Sequence, residues 1–539
     1  MHQPNLLTTA WLSHPRPRDY VLVTFILLLV LLALRSFHPE PVVGIAWDQA
    51  KYLGTARTFP FHTLYNNELW LIHGPGFPAL IRLGSLVLDD HAAAICVSIA
   101  MAVVTFWAIG IVGKVLRLGR TGVLLARMFL VLHPIYFVYA QEISKESAMV
   151  ALYAMLLGGL MSSMCGSGRG RWLAAIAGGY FALTVDQHVP LVLISLGLVR
   201  VAWPQRTRRL GFIPLIPMLL IWVAILAVRL IRFTGDGLIP IGIDGMPEEA
   251  EHLGLMQAIF PNTSVQSADL ELTNFKGFRA NLAESGSFCT LFFWLRKLPN
   301  GLLYWHGALV LLIVLGAVRV CFFENRRRRW FGLGMILSTA VLFGVPMLIK
   351  PQVRYALLAV IPMACLVAMN VRWFPRRFMS GRPVWWAIAV CVVAAGAAEL
   401  TAPSKLHFTL SRPLVVEAQA VADWFETHET RAVMAQVGYP PELAYLTDRR
   451  ILGLPEDPKL LDEAIRTFDV SHIVVGSADG WRWDHPNRSA VVNSETIDTI
   501  LAQPDAFQPV ADVLQPAVTG RAADLFLIFQ VDKRWLQDP

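Results

Sequence analysis

A polytopic α-helical membrane protein with a small soluble α/β domain at its carboxyl end is the fold class this sequence predicts, on three observations. Hydrophobic residues fill 55% of the 539 positions and charged residues only 16%, and the mean hydropathy is +0.51, far too apolar for an ordinary soluble globule. Apolar runs able to span a bilayer recur as far as about residue 400, and the loops between them are basic in alternation. After residue 401 the composition becomes that of a soluble domain, so the chain divides into a membrane part, 1–400, and a carboxyl-terminal part, 401–539.

The first run, residues 20–37, follows Arg16 and Arg18 and has no small-residue cleavage site, which makes it a retained helix rather than a signal peptide. Further runs begin near Ala92, Gly122, Ser147, Trp172, Val189, Gly211, Gly301, Trp330, Tyr355 and Val384, giving about eleven spans. Lys114 with Arg117 and Arg120, Arg169 with Arg171, Arg206 with Arg208 and Arg209, Arg326 to Arg329, and Arg372 to Arg382 occupy alternate loops. That asymmetry sets the amino terminus inside and turns segments 38–90, 139–146, 233–298 and everything after 401 outward. The expected location is a bacterial inner membrane, with a cytoplasmic amino terminus and a periplasmic carboxyl-terminal domain. A net charge of +7, spread as short clusters between apolar runs, excludes a nucleic-acid footprint. Five of the six cysteines lie in or beside apolar runs, and no disulfide framework or zinc spacing is present.

The first outer segment opens with Gly44 to Arg57. A helix there would show Asp48, Tyr52 and Thr55 on one face. Two prolines and two glycines in Gly74-Pro75-Gly76-Phe77-Pro78 then break any continuous helix, so short interfacial helices are expected. The segment 233–298 ends in Phe292-Phe293-Trp294-Leu295-Arg296-Lys297, aromatics beside cations that suit the headgroup region, either as a lid or as a passive linker. In the carboxyl-terminal part, helical period over Val415 to Thr427 and Lys459 to Thr467 alternates with strand-like runs at Arg431 to Val437, Ile473 to Val475 and Leu525 to Val531. No phosphate loop, metal cluster or nucleophile motif occurs in it, which leaves a scaffold or acceptor-docking role.

Asp48 heads the candidates for chemistry, because a carboxylate at a span end costs desolvation energy unless it is paired or hydrated. A solvated boundary aspartate is the competing reading. Glu142 and Glu146, one helical turn apart with Lys145 between them, can bind a divalent cation with Asp48, orient an acceptor, or make a local ion pair with Lys145. His73 and His188 can reach such a site or serve as polar boundary residues. Lys350 and Arg354 crowd a very short outer loop; the alternative for both is snorkelling to lipid headgroups. Arg229, Arg232, Arg296 and Lys297 are weaker candidates at the same level.

The order of four short motifs resembles membrane-embedded, C-type glycosyltransferases, a group that includes protein O-mannosyltransferases and lipid A aminoarabinose transferases. Asp48-Gln49-x-x-Tyr52-x-x-x-Ala56-Arg57 resembles the Asp-Glu-x-x-Tyr pattern of the first external loop. His73 to Pro78, His133-Pro134 through Glu146, and Arg354-Tyr355 with Pro362 resemble the segments that follow. Gln49 departs from the Glu that many members carry.

The resemblance implies transfer of a sugar from a polyprenyl-phosphate-linked donor to a lipid, glycan or protein acceptor, with inversion. Asp48 would be the general base. Glu142, Glu146, Tyr52 and His73 would position acceptor or metal, and any divalent cation would sit on Asp48 and Glu142. Lys350, Arg354, Tyr355, Arg296 and Lys297 would hold the donor phosphate. A polytopic lipid or solute transporter without transfer chemistry is the alternative; it should show internal repeats and ionisable residues at the bilayer midplane, and no clear repeat is present.

Overall fold

A computed structural model describes residues 47–58, 74–116, 118–133, 136, 139–140, 143–202, 213–234, 309–324, 326–349, 357–370, 419–428, 430–435, 440–447, 449, 451–455, 458–476, 494–515, 524–532 and 534. Its helices before the carboxyl-terminal part are α1 (Trp47–Thr58), α2 (Gly76–Gly84), α3 (Asp90–Val115), α4 (Gly119–Leu132), α5 (Lys145–Met164), α6 (Gly168–Val185), α7 (Val189–Val201), α8 (Ile216–Thr234), α9 (Leu309–Val318), α10 (Arg326–Ile349) and α11 (Val360–Met369). Helical runs at Asp90–Val115, Lys145–Met164, Gly168–Val201 and Arg329–Pro346 are long and apolar enough to cross a membrane, and four shorter apolar helices accompany them. The spans expected at residues 20–37 and from Val384 lie outside the described residues.

The chain forms two compact units. One holds most of α3, then α4 to α7 and α9 to α11. Its core runs from Phe106 through Phe129, Tyr153 and Phe181 to Leu342 and Met369. Close approach of α5 and α6 organises this core. A Cβ added at Gly159 would lie 2.6 Å from the Ala174 backbone nitrogen, so only glycine lets the two backbones come together. The turn between them needs the left-handed conformation of Gly166, at φ 91°. Ser167 then caps α6, its hydroxyl accepting from the Gly170 amide at 3.1 Å.

Helical structure runs almost unbroken over the 34 residues Gly168–Val201, yet the chain reverses inside it. The Ser195 hydroxyl of α7 lies 2.7 Å from the Tyr153 hydroxyl of α5, which flanks the second half of α6. A straight continuation would carry Ser195 about 15 Å past the end of α6, at 1.5 Å per residue. The reversal occurs at the 3₁₀ turn Asp186–His188, after Val185 leaves the helical region at φ −145°, ψ 56°. Tyr153 also reaches Ser338 of α10 at 3.3 Å, and the Ser195 and Ser338 hydroxyls bond to each other. Three helices are thereby tied at one level by buried hydroxyls that satisfy one another. Arg127, on α4, is buried as well, and its Nε donates to the Phe106 carbonyl at 2.9 Å.

The other unit joins α1, α2 and the first turn of α3 to the carboxyl-terminal residues. There α12 (Gln419–Thr427), α13 (Pro440–Thr447), α14 (Leu461–Phe468) and α15 (Ser494–Ala502) surround a five-stranded sheet. Its strands are β1 (Ala432–Ala435), β2 (Ile451–Gly453), β3 (Val470–Gly476), β4 (Phe507–Gln515) and β5 (Asp524–Val531), in the order β2-β1-β3-β5-β4. The first three are mutually parallel, β5 is antiparallel to β3, and β4 is antiparallel to β5. Alternate side chains serve two cores. Met434, Ile473, Val475 and Phe529 meet α14 and α15, while Val433, Ala435, Val474 and Ile528 meet α12 and α13. β4 is an edge strand whose register slips between Pro509 and Ala511, where proline cannot donate to the ladder.

His472 on β3 is buried against the Trp424 and Phe425 rings, with its Nδ1 2.9 Å from the Ser471 hydroxyl. Burial, and then the nearby His428, lower its pKa from 6.5. The folded state therefore favours neutral imidazole. The stability this contributes is present above the unfolded value of 6.5 and drains away as pH falls from there to the lower folded value. Protection factors in β3 and β5, amide exchange corrected for its intrinsic pH dependence, should fall between pH 7 and pH 5, and His472→Gln should flatten that dependence; an unchanged pH profile in the variant would contradict the assignment.

Candidate active site

Two sets of residues, one in each unit, fall where the sequence places chemistry. In the unit with the sheet, α1 carries Asp48 in its first turn, the end of a helix that favours negative charge. Tyr52, one turn on, is 2% exposed and meets the Phe77 ring edge-on at a centroid distance of 5.2 Å. Phe77 is available because α2 begins directly after the Gly74-Pro75 break and buries Phe77, Pro78 and Ile81. Arg57, in the last turn of α1, donates its Nε to Asp90 Oδ2 at 2.7 Å. Asp90 stands in the first turn of α3, so each charge lies at the helix end whose dipole favours it. Two members of the Asp48–Tyr52–Arg57 pattern thus make packing and ion-pair contacts. Leu83, Leu86, Val87 and Leu88 stay exposed just ahead of α3, the apolar surface expected of a segment at membrane level. By contrast α1 is covered by protein, with Ala50, Leu53 and Ala56 no more than 1% exposed.

In the helical unit, the pairing of helices collects polar residues at one end. The start of α5 lies level with the end of α6, because Gly159 meets Ala174 and Gly170 meets Ser163. The start of α7 lies level with the end of α10, because Gly334 approaches Leu198 and Val199 while Ser338 bonds Ser195. Gly122 faces the Ala368 carbonyl, which brings the end of α4 to the start of α11. His133, Lys145, Glu146, Asp186 and His188 all occupy this end and are all buried. His133 Nδ1 accepts from the Tyr136 amide at 3.2 Å, so in the neutral ring the proton is on Nε2. The ion pair between Lys145 and Glu146 does not form. Among the described residues the Glu146 carboxylate has neither a hydrogen-bond nor an ion-pair partner, although the residue is only 5% exposed. The first turn of α5 points consecutive side chains in different directions, which separates the two charges.

Asp186, 1% exposed, joins the candidates. Its signal in the sequence is the triplet Asp186-Gln187-His188 between two apolar runs. The side chain of Asp48 lies outside the described residues, as do His73, Glu142, Arg296, Lys297, Lys350, Arg354 and Tyr355. Ile349 and Leu357, which flank the Lys350–Tyr355 stretch, are at the same end of the bundle as Glu146.

Two solved structures of ArnT from Cupriavidus metallidurans, one bound to undecaprenyl phosphate and one in the apo state, match with TM-scores of 0.53 and 0.52 at 13% and 14% identity. The first covers 96% of this chain and 98% of its own, the second 99% of each. The chain has the C-type glycosyltransferase fold. An Archaeoglobus fulgidus oligosaccharyltransferase solved with Zn and sulfate matches at TM-score 0.49 and 12% identity, over 84% of this chain and 67% of its own. No family model matches the chain, and no curated protein matches its sequence. The C-type fold therefore stands on the path of the backbone, which extends the likeness first seen in four short motifs to nearly the whole length.

Proposed function

We propose that the protein is an integral membrane glycosyltransferase that moves a sugar from a polyprenyl-phosphate-linked donor to an acceptor on the outer face of a bacterial inner membrane, with inversion. The observation that carries this reading is the Asp48–Tyr52–Arg57 pattern on one helix, α1, within a chain that follows the ArnT fold from end to end. Asp48 takes the proton of the acceptor hydroxyl or amine as its oxygen or nitrogen bonds to the anomeric carbon. The bond from that carbon to the phosphate oxygen breaks on the opposite side, and the lipid phosphate leaves with the electron pair.

Lys350, Arg354 and Tyr355, helped by Arg296 and Lys297, are assigned to the departing phosphate, whose growing charge fixed cations stabilise. Glu146 and Glu142, with His73, are assigned to the acceptor side, and Tyr52 holds α1 in place. A divalent cation on Asp48 and Glu142 belongs to the proposal without a step of its own. Among the described residues no three His, Cys, Asp or Glu side chains are grouped to hold a metal.

The test is incubation of purified protein with a lipid-linked sugar pool extracted from the host membrane, followed by mass spectrometry of envelope lipids, glycans and proteins. Covalent transfer is the expected result. Translocation of the donor without transfer would establish the transporter reading instead, and the absence of both transfer and translocation would overturn the glycosyltransferase assignment.

A further inference from the structure

We infer that the carboxyl-terminal sheet positions the helix bearing Asp48, acting through α13; this rests on the reading of Asp48 as general base. α1 is short, at 12 residues, and its sequence Trp-Asp-Gln-Ala-Lys-Tyr-Leu-Gly-Thr-Ala-Arg-Thr has no apolar stripe. Helices of that length are marginal alone, and one without an amphipathic face has no single surface on which to dock. Even so, Ala50, Tyr52, Leu53 and Ala56 are at most 2% exposed. Among the described elements, α1 is flanked by α2, through Tyr52 and Phe77, and by α13 of the sheet unit.

α13 is itself fixed. Leu443 and Ala444 are buried in the core formed with α12 and the sheet, beside Val433, Ala435 and Phe526. Displacement of α1 is therefore resisted by α2 and by a helix packed on the sheet. A general base acts only within hydrogen-bond reach of the proton it removes, and about 1 Å of misplacement can cost about a hundredfold in rate. The sheet supplies no group to the chemistry; it holds the backbone from which Asp48 projects.

The experiment uses the full-length protein in detergent, with Leu443→Ala to loosen α13 from the sheet and Leu443→Met as the conservative control. Amide exchange over residues 50–57 should accelerate at least tenfold in Leu443→Ala while exchange in α5 and α6 stays unchanged. The transfer rate at saturating lipid-linked sugar pool should fall at least tenfold, the half-saturating amount should move less than twofold, and Leu443→Met should restore both readouts. Should Leu443→Ala fail to fold, Ala444→Gly weakens the same helix more gently. Faster exchange in 440–447 with unchanged exchange in 50–57 overturns the inference. If the wild type transfers no sugar, the functional reading fails on its own, and the exchange measurement still decides whether α13 holds α1.

Discussion

Asp48→Asn should abolish sugar transfer, lowering the rate by about 10³-fold, within the range a positioned general base supplies. The amide has nearly the shape of the carboxylate, and the charge it gives up in the first turn of the helix is worth only about 0.3–1 kcal/mol. α1 should therefore keep its fold, its Tyr52–Phe77 contact and its Arg57–Asp90 pair. What the amide lacks is a lone pair basic enough to take the acceptor proton. Gln49 sharpens the expectation, since no adjacent carboxylate can substitute. The measurement is transfer from a lipid-linked sugar pool beside amide exchange over α1. Turnover at the wild-type rate would remove Asp48 from the base role, and loss of transfer with faster exchange over α1 would reduce it to a structural residue.

Gly159→Val should prevent recovery of folded protein. A Cβ at this position would sit 2.6 Å from the Ala174 nitrogen and 3.0 Å from both the Ala174 Cα and the Gly170 carbonyl oxygen. All three are backbone atoms of α6, so no rotamer change relieves the overlap and the two helices must separate. Overpacking a core costs about 1–3 kcal/mol where side chains can shift. Separation of two backbones exceeds that and consumes much of a net stability of about 5–15 kcal/mol. Gly197→Ala on α7 serves as the control, because a Cβ there meets nothing within 4 Å. Size-exclusion profiles in detergent should show a monodisperse control and an aggregated Gly159→Val. Normal recovery of the valine variant would mean that α5 and α6 do not pack as described.

Much of the helical unit was legible because burial in apolar surroundings is written residue by residue. The starts expected near Ala92, Gly122, Ser147, Trp172, Val189 and Trp330 coincide with helices α3 to α7 and α10. The reversal at Asp186–His188 was visible for the same reason, since three polar residues interrupt an apolar stretch. In the sheet, β1, β3 and β5 announce themselves as compact apolar runs, whereas β2 is three residues long and β4 an edge strand with polar faces. The tie between Tyr153, Ser195 and Ser338 could not be foreseen, because its members are 42 and 143 positions apart and no local pattern marks them. Nor could the cover on α1, whose sequence shows no face to be covered. Asp48, Tyr52 and Arg57 were legible only as a pattern; that Tyr52 and Arg57 anchor the helix became clear from Phe77 and Asp90.

The pairing of α1 with α13 also imposes an order in time. Most of the chain lies between Thr58 and Pro440, and synthesis proceeds at about 5–20 residues per second. Tens of seconds therefore pass between the emergence of α1 and that of the helix that covers it. Throughout that interval the segment bearing Asp48 lacks the cover of α13, so a nascent polypeptide would carry Asp48 on a less firmly held helix. The hold on that helix would be complete only after α13 had emerged and packed on the sheet.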